Sequence, residues 1–216
     1  MVARVGPFVF NRVDLYAAQP SGDDTGSETG FYVRHAAYPQ IDNANSPEAR
    51  TWNQENVHHL PDKDDDCGPG DYDIDYKVGY ANSRFISVEW SDSTYCHGTA
   101  HGFGDVKSSN TVLLPRVRPL ASEDLFGAGK AWSSDLKKRF WAALTHTGWS
   151  PPANQPDIKQ QLEKDFIRPD QWLFTTGGLQ VAFASYEGGC YACTPRPVTL
   201  PWSELKPLLS RTAIAP

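Results

Sequence analysis

The 216-residue sequence is short of positive charge, of cysteine and of long apolar runs, and it has a single methionine. No uninterrupted apolar stretch approaches the roughly 20 residues that cross a bilayer as a helix, so no membrane span is expected. With 20 Lys plus Arg against 26 Asp plus Glu, the formal charge is −6. That field repels phosphate backbones and anionic headgroups, which argues against nucleic acid and leaves a basic partner as the electrostatic complement. The apolar stretch after Arg4 contains Gly6 and Pro7 and is shorter than a signal-peptide core, so nothing in the chain as written directs export. Also missing are HExxH, the HxE of zinc deaminases, a GxSxG elbow, a Walker loop and GxGxxG. No nucleophile stands with a base, so no enzyme, cofactor or metal site is expected.

What the sequence does contain is aromatic surface, with 7 Trp, 9 Tyr and 10 Phe, enough large apolar groups to build a packed core. Phe8, Phe10, Val13 and Leu15 mark a strand, and a second follows over 31–38. Ser46 before Pro47 reads as an N-cap with proline at the first helical position, predicting a helix over 47–59. Runs over 72–81 and 84–90, meeting at Asn82 and Ser83, predict a hairpin. In the second half a strand is expected over 110–114 and a helical turn over 122–126. Ser133 is expected to cap a helix with Leu136, Phe140 and Leu144 on its core face. Ile158, Leu162 and Phe166 mark another helix. Gly177 and Gly178 supply positive φ to a hairpin turn, and a strand near Val198 leads to a helix over 203–209. Hairpins with intervening helices and no regular βαβ alternation predict an α+β fold, with antiparallel sheets and packed helices in two tightly associated subdomains, 1–108 and 109–216.

Four cysteines, an even number in Gly-rich or polar sequence, suit an oxidising compartment and a chain whose leader has been removed. If Asn82 and Ser83 form a two-residue turn, counting outward sets Cys96 opposite Pro69, two residues from Cys67, which brings a Cys67–Cys96 bridge within reach. Cys190 and Cys193 are left for each other. Their CxxC spacing fits a structural clasp, half a zinc site or a redox centre, and its position between two strands favours the clasp. His97 and His101 have the spacing of a helical metal pair, but nearby glycines make a helix there improbable and a backbone-bonded loop histidine the simpler reading. Asp62, Asp64 and Asp66 followed by Asp73 partly match an EF-hand loop, yet Cys67 stands where the turn needs glycine.

Several segments resemble one bacterial family. Tyr38-Pro39-Gln40, Ser87-Val88-Glu89-Trp90 and the run from Tyr95 to Gly102 are similar to its motifs. So are residues 120–126, 177–183 and 198–205, with Tyr186-Glu187 and Tyr191-Ala192 in its Tyr-Glu-x-x-Pro-Tyr-Ala loop. The family is that of the extracytoplasmic region of RsiV, the lysozyme-sensing anti-sigma factor, shared by the non-catalytic part of the deacetylase PdaC. Thr99 and Cys190 depart from its pattern. The resemblance implies an α+β fold in two associated parts and binding of a lysozyme-like cell-wall hydrolase, by a periplasmic or otherwise extracytoplasmic inhibitor, immunity protein or sensor. A peptidoglycan- or glycan-binding module is the alternative. On either reading Tyr186, Glu187 and Tyr191 are the candidate partner-binding residues, with Glu187 meeting cations of the target. His101 is expected to turn inward and act structurally beside the four cysteines.

Overall fold

A computed structural model describes residues 2–20, 30–62, 67, 69–129 and 131–214. The first part of the chain builds a seven-stranded sheet: β1 (Val2–Val5), β2 (Phe8–Pro20), β3 (Phe31–Ile41), β4 (Gly70–Asn82), β5 (Phe85–Cys96), β6 (Val106–Val112) and β7 (Arg118–Pro119). The strands lie in sequence order and every pair is antiparallel except β3 and β4, which are parallel. The expected antiparallel pairing holds in both sheets apart from this one pair. Parallel neighbours need a crossover, and helix α1 (Pro47–Glu55) lies in the segment that returns the chain. Ser46 caps α1 as expected, its Oγ accepting from Ala49 N–H at 3.1 Å. The helix stops short of residue 59 because Asn56 folds back, both its backbone N–H and its Nδ2 donating to Trp52 O. Trp52 is fully buried and meets Phe10 edge-on at 5.7 Å.

The remainder adds a short helix α2 (Glu123–Phe126), the longer α3 (Ala131–His146) and α4 (Asp157–Asp165), and three strands, β8 (Trp172–Phe174), β9 (Gly178–Val181) and β10 (Val198–Pro201). The strands form a second antiparallel sheet in the order β10-β9-β8. Helix α5 (Trp202–Leu205) follows and ends earlier than the expected 203–209. The fold is α+β. Leu136, Phe140 and Leu144 of α3 are fully buried, as are Leu162 and Phe166. Ser133 lies inside α3 and does not precede it. Neither Gly177 nor Gly178 has the expected positive φ; a Cβ on Gly178 would meet Leu200 O at 2.1 Å, so that glycine serves strand contact and not the turn.

Side chains alternate across β5, and each face supplies a different core. Phe85 joins the large cluster with Phe140, Phe166, Trp172 and Phe174, whereas Ile86 and Val88 join Phe10, Ile41 and Trp52. Ser87 Oγ accepts from Phe174 N–H at 2.9 Å, linking the two sheets in a buried setting. The division continues at the end of β6, with Val112 in one cluster and Leu113, the next residue, in the other. A boundary between 108 and 109 therefore falls within a strand.

The β4–β5 turn is formed by Ser83 and Arg84, one residue later than expected, since Asn82 pairs with Phe85. A bulge between Val78 and Tyr80 shifts the register, so Cys96 faces Gly70. The Cys67–Cys96 bridge forms, with Cα atoms 5.2 Å apart, and Cys190 bonds Cys193. Two outcomes follow. Thiol labelling of the unfolded, unreduced protein should find no reactive cysteine. Phe174→Ala, which empties the contact with Phe85 (centroids 4.6 Å apart), should cost about 3–5 kcal/mol in urea unfolding.

Candidate functional site

Beyond Trp90, β5 outruns both cores and its residues become exposed. The chain turns after Cys96 and returns alongside, with Thr94 and Phe103 exchanging backbone hydrogen bonds of 2.7 and 2.9 Å. A loop over 184–194 closes against this ribbon: Ser185 N–H donates to Gly104 O at 2.9 Å and Ser185 Oγ accepts from Gly104 N–H at 3.1 Å. Gly104 is required there, because a Cβ would lie 2.1 Å from Asp92 O.

The loop is fastened from several sides. The Cys190–Cys193 bridge pins its last turn, Trp149 Nε1 donates to Cys193 O at 2.6 Å, and Thr194 Oγ1 accepts from Tyr186 N–H at 3.0 Å. Gly188 sits so close that a Cβ would meet Cys193 O at 2.0 Å. The CxxC therefore forms a clasp around a single 3-10 turn, residues Tyr191–Cys193.

Four aromatic side chains gather here: Tyr95 is 41% exposed, Phe103 43%, Tyr186 44% and Tyr191 49%. They are half of all the strongly exposed large apolar side chains among the described residues, so the clustering is not the ordinary scatter of a protein surface. His101 lies among them, stacked on Tyr191 with centroids 4.2 Å apart and planes 9° apart, and Tyr186 Oη lies 3.0 Å from its Nδ1. A groove of about 280 Å3 runs between Tyr95, Phe103 and Tyr191, with Asp92 and Asp105 in its wall. Aromatic faces beside carboxylates are suited to holding cationic or sugar surfaces.

The candidate residues do not all behave as expected. Tyr186 and Tyr191 are brought together at the surface. His101 is exposed and does not turn inward. Gly102 and Gly104 are the residues that press their backbone against β5, which leaves the histidine ring outside. His97 Nε2 lies 3.5 Å from Asp71 Oδ2, whereas His101 stacks on Tyr191. Glu187 is no rim charge: it is half-buried, and its Oε2 accepts from Ala184 N–H at 2.8 Å inside its own loop. Burial pushes its carboxyl up to about 7 against the pull of that hydrogen bond, with Asp165 and Asp105 adding to the rise. Most of the acidic segment cannot be placed, since residues 63–66 and 68 lie outside the described residues.

One cluster went unnoticed in the sequence. His35 on β3 bridges two strands, with Nδ1 2.5 Å from Asp73 and Nε2 2.9 Å from Asp14. Arg12 donates to Asp14 at 2.8 Å and to Asp75 at 2.6 Å. Asp73 first, then Asp14, raises the His35 pKa. The alternation Asp71, Asp73, Asp75 was the available signal, since a period of two places all three on one sheet face.

No protein-family model matches the sequence, and no curated protein sequence matches it. Solved structures do. The chain has the fold of DUF3298 family proteins. A DUF3298 member from Bacteroides fragilis NCTC 9343 matches with a TM-score of 0.63 and 14% identity over 97% of this chain and 96% of that one. A DUF3298 protein from Pseudomonas aeruginosa PAO1 matches with a TM-score of 0.56 and 16% identity, over 94% and 95%.

Glu187 generates a pH prediction. Its folded pKa lies above the ordinary carboxylate value, so the folded state binds the proton more tightly than the unfolded chain does. Its contribution to stability is complete below the unfolded pKa and is lost as pH rises through about 7. Glu187→Gln keeps an acceptor for Ala184 N–H and removes the titration. Urea midpoints compared at pH 5 and pH 8 should fall less in the variant. His35 titrates identically in both proteins and cancels from the difference.

Proposed function

We propose that the protein is an exported, non-catalytic domain that binds a basic cell-wall hydrolase of the lysozyme type, as an inhibitor, an immunity protein or a sensor. The observation that carries this reading is the exposed aromatic patch of Tyr95, Phe103, Tyr186 and Tyr191, with Tyr191 inside the ring closed by the Cys190–Cys193 bridge. Tyrosine is a frequent interface anchor, and a loop held by a bridge loses little entropy on docking. Asp92 in the groove, within a chain of net charge −6, favours steered encounter with a cationic surface; Asp105 beside it is paired with Lys107. Two disulfides suit an oxidising compartment, and no helix among the described residues is long and apolar enough to cross a membrane.

A glycan-binding module is the second reading, favoured by the nearly parallel stack of His101 on Tyr191, which offers a flat aromatic face to a sugar ring. Calorimetric titration with a purified basic lysozyme and, separately, with soluble peptidoglycan fragments distinguishes the two. The hydrolase should bind and the fragments alone should not. Tyr191→Ala should weaken hydrolase binding by about 2 kcal/mol or more while circular dichroism stays unchanged. If the folded variant binds as tightly as wild type, the patch is not the contact. If fragments bind and the hydrolase does not, the glycan reading replaces the first.

A further inference from the structure

The largest groove shares no lining residue with the aromatic one. It lies along β6 between the end of α1 and the turn at Pro169, and its volume of about 500 Å3 is in the range of small-ligand sites. Seven polar or charged residues are buried among the described residues, and four of them, Asn56, Ser108, Asn110 and Thr111, line this one groove. Alternation along β6 sends Ser108 and Asn110 to one side of the strand and Thr111 to the other, so both faces contribute where the groove runs past the strand edge.

Buried polar groups elsewhere find partners inside the protein. Ser87 Oγ accepts from Phe174 N–H, and Asp165 accepts from Gln161 and Arg168. Those of the groove do not. Asn110 gives Nδ2 hydrogens to Pro169 O and Trp172 O and leaves its buried Oδ1 with no partner. Asn56 likewise directs Nδ2 to Trp52 O, and neither its Oδ1 nor the hydroxyls of Ser108 and Thr111 have a partner among the described residues. A buried acceptor without a donor is unfavourable, so the fold carries here a set of hydrogen-bonding groups that only an outside molecule satisfies.

The kind of molecule follows from the donors and acceptors. Asn56 Oδ1, Asn110 Oδ1 and the exposed Glu55 carboxylate can only accept, so the ligand must donate several hydrogen bonds. No Lys, Arg or His lines the groove and Asp170 is engaged by Arg168, so an anion finds no counter-charge there. Leu120 and Pro169 add apolar surface. Many uncharged donors on a framework with an apolar C–H face describe a sugar. We infer that the β6 groove binds a short uncharged saccharide through Asn56, Ser108, Asn110 and Thr111. Carboxylate-bearing peptidoglycan fragments are not that ligand, and the inference stands whichever reading of the aromatic patch holds.

The probes are cellobiose, maltose and diacetylchitobiose, with the matching uronic-acid disaccharides as anionic controls, titrated into isotope-labelled protein and followed by amide chemical shifts. At least one neutral sugar should shift the Ser108 and Thr111 amides saturably with a Kd of about 1 mM or tighter, and its uronic-acid form should bind about tenfold more weakly. Thr111→Val keeps the side chain's shape and removes its hydroxyl, so it should retain its circular dichroism and bind that sugar about fivefold or more weakly. Should Thr111→Val not fold, Ser108→Ala takes its place. Unchanged affinity in the folded variant overturns the proposal, as does the absence of saturable shifts at the groove with every neutral sugar. Shifts confined to Tyr95, Phe103 and Tyr191 overturn it in favour of a sugar site on the aromatic patch. Equal binding of the uronic-acid form overturns the uncharged assignment.

Discussion

Everything in this fold depends on β5 being covered on both faces over its first half. Phe85 and Ile86 are adjacent, each fully buried, and point into different cores. Burying side chains of this size stabilises by about 1.5–3 kcal/mol each. Two clusters that share one strand cannot be lost independently without stripping one of its faces. The buried Ser87–Phe174 bond, between a side chain of the large sheet and the backbone of the small one, fixes their relative position. An unpaired Phe174 N–H in that setting would cost about 1–3 kcal/mol, so this bond specifies the docking as well as stabilising it.

The same strand makes the surface site because it is longer than its cover. Past Trp90 its side chains leave both cores and most are exposed, and a ribbon of this length needs other restraints. The Cys67–Cys96 bridge supplies one at its tip, and the Ser185–Gly104 bonds tie it to the clasped loop. On the neighbouring strands His35 holds Asp14 and Asp73 together where three carboxylates and an arginine would otherwise share a half-exposed face. Protonated, the imidazole sets one positive charge between two carboxylates; neutral, it leaves the face more acidic.

Much of this was legible from residue patterns, and the misses have local causes. The β4–β5 hairpin was visible in its alternation, but a bulge at Gly79 leaves no signature in hydrophobic period, so the turn was placed one residue early. The bulge restored the register toward Cys96, which is why the cysteine pairing held although the turn did not. Helix α1 was extended too far because Val57 and Leu60 continue its spacing, whereas the buried Asn56 ends it through a side-chain bond to Trp52 O that no periodicity reveals. At the site, Tyr186 and Tyr191 were recognisable as loop aromatics in a family-like motif. Glu187 was misjudged, since a charged residue in a glycine-rich loop reads as solvated until the backbone N–H it accepts from is known. Phe103 was missed because a lone aromatic among glycines has no period to assign it.

The conformation of Tyr186 argues that the patch is held in place and not merely left over. Its φ is +70, and among the described residues the other non-glycine with positive φ is Asn43, a type that tolerates the left-handed region. For tyrosine that conformation costs roughly 1–2 kcal/mol, which the surroundings must offset. They do so locally: Thr194 Oγ1 accepts from its N–H, Gly189 N–H donates to its carbonyl at 2.7 Å, and its hydroxyl reaches His101. A relaxed backbone at 186 would redirect the ring away from His101 and loosen the stack on Tyr191. Backbone strain that persists at an exposed aromatic, fastened by three hydrogen bonds and a neighbouring disulfide, is what a pre-organised contact surface requires, and it is not what the interior of either core needs.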